Sequence, residues 1–279
     1  MQETLKELRD SLRPLYGERE TEAIIRIIFH YLKGWTLTDM LIHADEHLSA
    51  YIREEINKIL TRLLKHEPIQ YITGEARFHG MNFIVKPGVL IPRAETDELT
   101  DIIIDDYKDK PDLRILDICS GSGCIAITLA RNLKFSDTDA LDNSETAIAT
   151  AKENAKNLKC KINFINADIF HWEPDEDYDI IVSNPPYVDE SEAEQMDKNV
   201  LDFEPREAIF VSDENPLVFY NRIAGIALKS LKKEGSLYLE INPRHVSALK
   251  ELLLRKGFSK VNIMRDSSGK ERFMVCKKS

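Results

Sequence analysis

Residues Asn184-Pro185-Pro186-Tyr187 form the segment of this chain with the clearest chemical potential. They follow the apolar run Ile180-Ile181-Val182, which predicts a buried parallel strand leading into a rigid turn. Two consecutive prolines fix φ and remove two backbone N–H donors, so the carbonyls of this turn can point outward without local partners. The Asn184 amide can both donate and accept, and Tyr187 offers a flat aromatic wall. Such a turn can hold a planar amide or amino nitrogen in one orientation, although a purely structural Pro-rich loop would share the prolines.

A glycine-containing segment, residues 116–124, lies where a predicted strand (114–119) passes into a predicted helix (124–132). Gly121 and Gly123 let the backbone approach a ligand closely, and the helix N-terminus favours an anionic group. A Gly-x-Gly pair alone is weak evidence, because a plain tight turn can contain the same glycines. The candidate cofactor-binding residues of this segment are Asp117, Gly121, Ser122 and Gly123.

Two more predicted strands end in an acidic residue. Asp142 follows the strand at 138–141, about 20 residues after the glycines, where a carboxylate can accept hydrogen bonds from ribose hydroxyls. An ordinary solvated Asp in a turn is the alternative. Asp168 follows the strand at 162–167 and suits the exocyclic amino group of an adenine, with Ile169 and Phe170 in contact with the ring. Three such sites at successive strand ends predict a nucleoside pocket.

A nicotinamide dinucleotide is an alternative ligand for this pocket. Ala126 stands where the dinucleotide pattern has its third small residue, and alanine is tolerated there. The Asn-Pro-Pro-Tyr turn (residues 184–187) separates the two possibilities, because a dehydrogenase does not need it. The turn resembles the catalytic motif of methyltransferases that act on planar nitrogens. This resemblance implies S-adenosylmethionine as the cofactor, with Asn184 also in contact with it.

Strands and helices alternate from about residue 94 onward, which predicts a doubly wound, mostly parallel α/β sheet. Further strands are expected at 179–183 and 236–241, and helices at 144–158, 216–231 and 244–256. The last two strands, 260–265 and 272–276, are joined by a turn too short for a crossover and should pair antiparallel.

The N-terminal part has a different pattern. Apolar residues recur at helical spacing, and Ser49 and Gly34 are positioned as a helix start and a helix end. The apolar positions are Leu5, Leu8, Leu12, Leu15, Ile24, Ile27, Ile28, Tyr31, Ile52, Ile56, Ile59, Leu60, Leu63 and Leu64. We predict three regions: a small helical bundle over 1–68, a β-hairpin linker over 69–93 and a catalytic domain over 94–279.

Composition argues against several classes of protein. The 279 residues are 43% hydrophobic and carry a formal net charge of −10, which argues against a general nucleic-acid or membrane-surface binder. No apolar stretch approaches the roughly 20 residues that span a bilayer, and the N-terminus lacks the pattern of a signal peptide. The four cysteines and seven histidines show no metal-ligand spacing. We expect a cytoplasmic monomer without a metal and without direct contact with nucleic acid or membrane.

Several motifs together resemble one family, the protein-(glutamine-N5) methyltransferases of peptide chain release factors, also called the HemK family. The resemblance covers nearly the whole chain from Glu67 onward. The segments that carry it are Glu67-Pro68-Ile69-Gln70-Tyr71-Ile72-Thr73-Gly74-Glu75, Phe78-His79-Gly80, Leu90-Ile91-Pro92-Arg93-Ala94-Glu95-Thr96, Gly121-Ser122-Gly123-Cys124-Ile125-Ala126, Asn184-Pro185-Pro186-Tyr187 and Phe203-Glu204-Pro205-Arg206-Glu207-Ala208. It implies the class I S-adenosylmethionine-dependent methyltransferase fold and an N-terminal bundle that docks the substrate.

The substrate implied by this resemblance is the Gln of the Gly-Gly-Gln motif in class 1 release factors, and the product is N5-methylglutamine. We expect Asn184, Pro185 and Tyr187 to be catalytic. The substrate amide would contact all four residues of the turn, including Pro186. The family usually has Gly at the position of Cys119, so this chain should have an altered pocket shape at that point. A catalytic role for Cys119 is disfavoured, because no His partner lies in the local motif.

Two other functions stay open at this stage. An adenine-N6 methyltransferase acting on DNA or RNA would use the same turn on a flipped base, and the net charge argues against it. A nucleoside-binding module without chemistry is the second, and the intact Asn184 argues against that.

Overall fold

The computed structural model describes residues 1–278, which divide into two compact units. The first unit comprises Met1–Gly74 together with Asp197–Phe203, and the second comprises the remaining described residues. In chain order the helices are α1 (Gln2–Lys33), α2 (Leu37–Ile42), α3 (Ala50–Leu63), α4 (Ile69–Thr73), α5 (Ala94–Tyr107), α6 (Cys124–Asn132), α7 (Glu145–Asn157), α8 (Lys198–Phe203), α9 (Val218–Ser230) and α10 (Val246–Lys256). The strands are β1 (Glu75–Phe78), β2 (Met81–Ile84), β3 (Arg114–Ile118), β4 (Asp137–Asp142), β5 (Asn163–Asn166), β6 (Tyr178–Ser183), β7 (Val188–Asp189), β8 (Phe210–Val211), β9 (Leu231–Glu240), β10 (Lys260–Arg265) and β11 (Glu271–Lys277).

The first unit is helical, as its leucine and isoleucine spacing predicts. α1 is interrupted at Gly17, whose φ of 72° and ψ of 175° are not helical, and it ends at Gly34 in the left-handed conformation. The side chain of Ser49 accepts a hydrogen bond from the Ile52 N–H and so caps α3, as predicted. Most of the predicted apolar face is buried, but Leu15, Tyr31 and Leu64 are exposed. Leu15 lies two residues before the break at Gly17, where the helical register of the first segment ends.

A β-hairpin opens the second unit. β1 and β2 pair antiparallel, and their turn is formed by His79 and Gly80, which both have positive φ. Two consecutive residues with positive φ are the requirement of a type I′ turn. The hairpin is shorter than the predicted linker over 69–93, because Ile69–Thr73 is helical and belongs to the first unit.

The central sheet has seven strands in the order β10-β11-β9-β6-β3-β4-β5. β9, β6, β3, β4 and β5 are parallel, whereas β11 pairs antiparallel with both β9 and β10, so the predicted closing hairpin is confirmed. β9 begins at Leu231, earlier than predicted. Its first half was not predicted, because the polar run Lys232-Lys233-Glu234 lacks the apolar pattern of a buried strand.

Helices cover both faces of this sheet. Ile181 of β6 packs in one apolar cluster with α9 and α10, whereas Ile180 and Val182 pack in the opposite cluster with α5 and α6. The alternation follows from the two-residue period of a strand. Within residues 1–278 no helix is long and apolar enough to cross a membrane.

Candidate active site

A cavity of about 260 Å³ lies at the carboxyl ends of β3, β4, β5 and β6. Open α/β sheets bind their ligands at this edge. The predicted site residues that line the cavity are Gly121, Asp142, Asp168, Ile169, Phe170, Asn184 and Pro186. Chain segments from four different strand ends therefore meet at one place, as the sequence predicts.

The glycine segment after β3 is held by Asp142. One carboxylate oxygen of Asp142 accepts from the Gly121 N–H at 2.8 Å, and the other accepts from the Ser144 N–H at 2.9 Å. Each oxygen keeps a further lone pair for a ligand hydroxyl. Burial raises the pKa of Asp142, and the donated backbone hydrogen bonds oppose that rise. A Cβ added at Gly121 would meet no atom within 4 Å, so the backbone there borders open space.

The segment after β5 provides an apolar wall. The Asp168 carboxylate accepts from the Phe170 N–H at 2.9 Å and pairs with Nδ1 of His171 at 2.8 Å, and these contacts lower its pKa. The ring of Phe170 lies 5.2 Å from that of Phe219, which also lines the cavity. Sequence analysis missed Phe219, because a single aromatic residue at the start of a helix carries no recognisable pattern.

Three predicted cofactor-binding residues, Asp117, Ser122 and Gly123, are not among those that line the cavity. Asp117 is 0% exposed; its Oδ2 accepts from the Ala126 N–H at 3.0 Å, and its Oδ1 has no hydrogen-bond partner among the described residues. Burial raises the pKa of Asp117 to about 8. Gly123 has a φ of 78°, and an added Cβ would lie 3.0 Å from the Ala151 Cβ. These contacts support the backbone of the glycine segment on the side away from the cavity. Direct cofactor binding by Asp117, Ser122 and Gly123 stays a prediction.

The Asn-Pro-Pro-Tyr turn follows β6 directly. The Asn184 Nδ2 donates to the Thr96 Oγ1 at 3.0 Å, and the Thr96 hydroxyl donates to the Glu240 Oε2 at 2.7 Å. The Tyr187 hydroxyl donates to the other oxygen of Glu240 at 2.9 Å. Pro185 and Tyr187 are not among the cavity-lining residues. No role was predicted for Thr96 and Glu240, which are far from Asn184 in sequence.

An ion pair holds the loop that contains residues 89–93. The Glu204 side chain, 1% exposed, pairs with the Arg93 guanidinium at 2.6 Å and accepts from the Ile91 N–H at 3.1 Å. The neighbouring residues Val89 and Leu90 line the cavity. Glu204 therefore fixes part of the cavity wall through the backbone.

Charge in the cavity has one sign. The charged side chains among its lining residues are Asp142, Asp168 and Glu207, all acidic. Cys119 also lines it, and burial of its sulfur raises the pKa of the thiol, which disfavours a nucleophilic role. The arrangement suits a neutral or positively charged ligand with an aromatic ring and hydroxyl groups.

Comparison with known proteins identifies the family. The family described as PrmC N-terminal domain matches residues 3–74, and that described as Methyltransferase small domain matches residues 80–202. A release factor glutamine methyltransferase from Bacteroides thetaiotaomicron is 44% identical, covering 96% of this chain and 96% of its own. This chain belongs to the release factor glutamine methyltransferase family. Another member, from Flavobacterium psychrophilum, is 39% identical over 95% of this chain and 94% of its own.

Solved structures agree with this family on the fold. A methyltransferase from Pyrococcus furiosus superposes with a TM-score of 0.55 at 15% identity, covering 80% of this chain and 99% of that chain. The 16S rRNA N2 G1207 methyltransferase from Thermus thermophilus, solved in complex with AdoMet and guanosine, gives a TM-score of 0.53 at 16% identity over 74% of this chain and 50% of that chain. The family and the fold class predicted from the sequence are both confirmed.

Proposed function

We propose that this protein transfers a methyl group from S-adenosylmethionine to the side-chain amide nitrogen of the Gln in the Gly-Gly-Gln motif of class 1 peptide chain release factors. The observation that carries the proposal is the position of Asn184. Its amide lines an acidic cavity at the carboxyl edge of the sheet, and its Oδ1 has no donor among the hydrogen bonds of the described residues. Membership of the family supplies the substrate class.

The cavity fits the proposed cofactor. Asp142 has spare lone pairs for the ribose hydroxyls, and Ile169, Phe170 and Phe219 form an apolar wall suited to the adenine. When bound, S-adenosylmethionine supplies an electrophilic methyl group on a positively charged sulfonium. An acidic lining favours such a cation over the negatively charged pyrophosphate of a nicotinamide dinucleotide, so the dehydrogenase alternative is disfavoured.

The substrate amide needs orientation more than activation. An amide nitrogen is a weak nucleophile, because its lone pair is delocalised into the carbonyl. The Asn184 Oδ1 and the Pro185 backbone carbonyl would accept its two N–H bonds, stabilise the positive charge that develops on nitrogen and direct the lone pair towards the methyl group. Tyr187 would pack on the amide plane, its ring oriented by the hydrogen bond to Glu240. No strong base is needed, since the alkylated nitrogen is acidic and loses its proton after attack.

The remaining parts of the proposal concern organisation. The helical region, predicted over 1–68, would dock the release factor, and the region from residue 94 onward would carry out the chemistry. We further propose a cytoplasmic monomer that binds neither nucleic acid nor membrane, in keeping with the net charge of −10.

Labelled S-adenosylmethionine tests the substrate directly. The protein is incubated with a release factor, with the same release factor carrying Ala in place of the motif Gln, and with an adenine-containing oligonucleotide. Label on the unmutated release factor alone supports the proposal. Label on the oligonucleotide instead would show that the chemistry is methyl transfer to nitrogen but that the substrate is a base.

The variant Asn184→Ala tests the proposed role of the turn. It removes one acceptor of the transition state, which typically lowers the rate about 100-fold. Cofactor affinity is measured separately by calorimetry, so that loss of the predicted contact between Asn184 and the cofactor is distinguished from loss of the transition-state acceptor. A variant that keeps wild-type turnover while binding the cofactor normally would contradict the role of Asn184.

A further inference from the structure

A buried series of hydrogen bonds connects Asn184 with Thr96 and Glu240. Thr96, on α5, is 3% exposed, and Glu240, at the end of β9, is 1% exposed. The Asn184 Nδ2 donates to the Thr96 Oγ1 at 3.0 Å, and the Thr96 hydroxyl donates to Glu240 at 2.7 Å. Three elements that are distant in sequence therefore meet at a side chain that the proposed reaction uses to hold its substrate.

The direction of each hydrogen bond in this series follows from the group at its end, the carboxylate of Glu240. An ionised carboxylate only accepts, so the single hydroxyl proton of Thr96 is committed to Glu240. The Thr96 oxygen can then only accept from Asn184, and the NH₂ half of the amide satisfies it. Rotating the amide by 180° would place two acceptor oxygens against each other without a proton between them.

We propose that Thr96 and Glu240 are positioning residues that fix the Asn184 amide with Nδ2 towards Thr96 and Oδ1 towards the substrate nitrogen. This inference rests on the proposed function. Free rotation of the amide would present an NH₂ donor to a substrate NH₂ donor for part of the time. A fixed amide presents only the acceptor that the methyl transfer requires.

The ionisation of Glu240 controls this arrangement. A protonated Glu240 can donate to the Thr96 oxygen, which frees the Thr96 proton for the Asn184 Oδ1 and favours the inverted amide. Burial raises the pKa of Glu240, and the hydrogen bonds from Thr96 and Tyr187 oppose the rise. The titratable or charged groups that act on Glu240 or are acted on by it are Tyr187, Tyr220, Arg272, Glu95 and Cys124. Turnover should therefore fall as pH drops through the raised pKa of Glu240.

Threonine variants provide the first test. Thr96→Val keeps the shape and removes the hydroxyl, and kcat for release-factor methylation should fall about tenfold or more with the affinity for S-adenosylmethionine unchanged. Thr96→Ser restores the hydroxyl and should recover most of the rate. Thr100→Val is the matched control, because Thr100 is a fully buried threonine of α5 whose hydroxyl donates only to the Thr96 carbonyl.

Three outcomes of this test would overturn the inference. They are wild-type kcat in Thr96→Val, equal losses in Thr96→Val and Thr96→Ser, and equal losses in Thr96→Val and Thr100→Val. Each would show that the hydroxyl of Thr96 does not orient the amide.

A second test does not depend on turnover. The side-chain amide resonance of Asn184 is followed by ¹⁵N NMR in the free enzyme and assigned by its absence in Asn184→Asp. It should shift with pH in the wild type and stay constant in Glu240→Gln, which is neutral at every pH. An equal pH dependence in both proteins would refute the link to Glu240. Failure of the wild type to methylate a release factor would instead refute the proposed function, and the NMR result would still decide the orientation.

Discussion

Replacing Asp117 with Asn should change how the stability of the second unit depends on pH. Asp117 is 0% exposed, and only one of its two oxygens has a hydrogen-bond partner, the Ala126 N–H. Burial raises its pKa from an ordinary value near 3.8 to about 8, and the negative charge of Asp142 adds to the rise. The folded protein therefore keeps this proton over a pH range in which the unfolded chain has released it.

The sign and size of the effect follow from linkage. Between about pH 4 and pH 8 the folded state holds one more proton than the unfolded state at Asp117, so the free energy of unfolding falls as pH rises. The slope contributed by one such group is at most about 1.4 kcal/mol per pH unit, or about 2.7 kcal/mol from pH 5 to pH 7. Asn cannot titrate, so Asp117→Asn removes this slope. The NH₂ group of Asn would occupy the position of the Asp117 Oδ1, which has no hydrogen-bond partner among the described residues. This adds a destabilisation that does not vary with pH.

Urea unfolding at pH 5, 6 and 7 without cofactor measures the slope. The chain has two tryptophans, Trp35 in the first unit and Trp172 in the second. Trp172 packs against the apolar cluster of the sheet, so a Trp35→Phe background makes fluorescence report on the second unit. Asp109→Asn, at an exposed carboxylate, is the control and should leave the slope unchanged. Parallel stability curves for the wild type and Asp117→Asn would refute the assignment of a buried, protonated Asp117.

Two further predictions concern the cavity wall and the glycine segment behind it. Phe219→Ala removes the ring that lies 5.2 Å from Phe170 and should weaken S-adenosylmethionine binding up to about tenfold in calorimetry. The control variant Phe135→Ala, at an exposed ring, should bind the cofactor normally. Unchanged affinity in Phe219→Ala would exclude Phe219 from the wall that binds the cofactor. Gly123→Ala should lower the free energy of unfolding about 1–3 kcal/mol more than Gly121→Ala, because both positions have positive φ but only at Gly123 would the new Cβ lie 3.0 Å from another side chain. Equal losses in urea unfolding would show that backbone strain alone matters.

Local sequence predicted most of the elements around the site. The helix at Cys124–Asn132 has the predicted bounds, and the ends of β4, β5 and β6 lie within two residues of prediction. The helix and β6 contain apolar runs, and turn-forming residues lie beside these elements, so the information that specifies them is contained in a few neighbouring positions. β9 was predicted too short, because its first residues are polar, and the predicted hairpin linker was too long, because a helical turn precedes it.

The chemistry of this protein could be predicted from the amino-acid sequence, because the Asn-Pro-Pro-Tyr turn, the glycine segment and the acidic strand ends are each local patterns. Their meeting at one edge followed from the general rule that parallel strands share their carboxyl ends. The residues that surround these patterns could be identified only from the folded protein. Thr96 lies 88 residues from Asn184 and 144 residues from Glu240, and both hydrogen bonds depend on the order of strands and on the face that α5 covers. No local sequence pattern distinguishes the residues that make such contacts, so the contacts can be identified only in the folded structure.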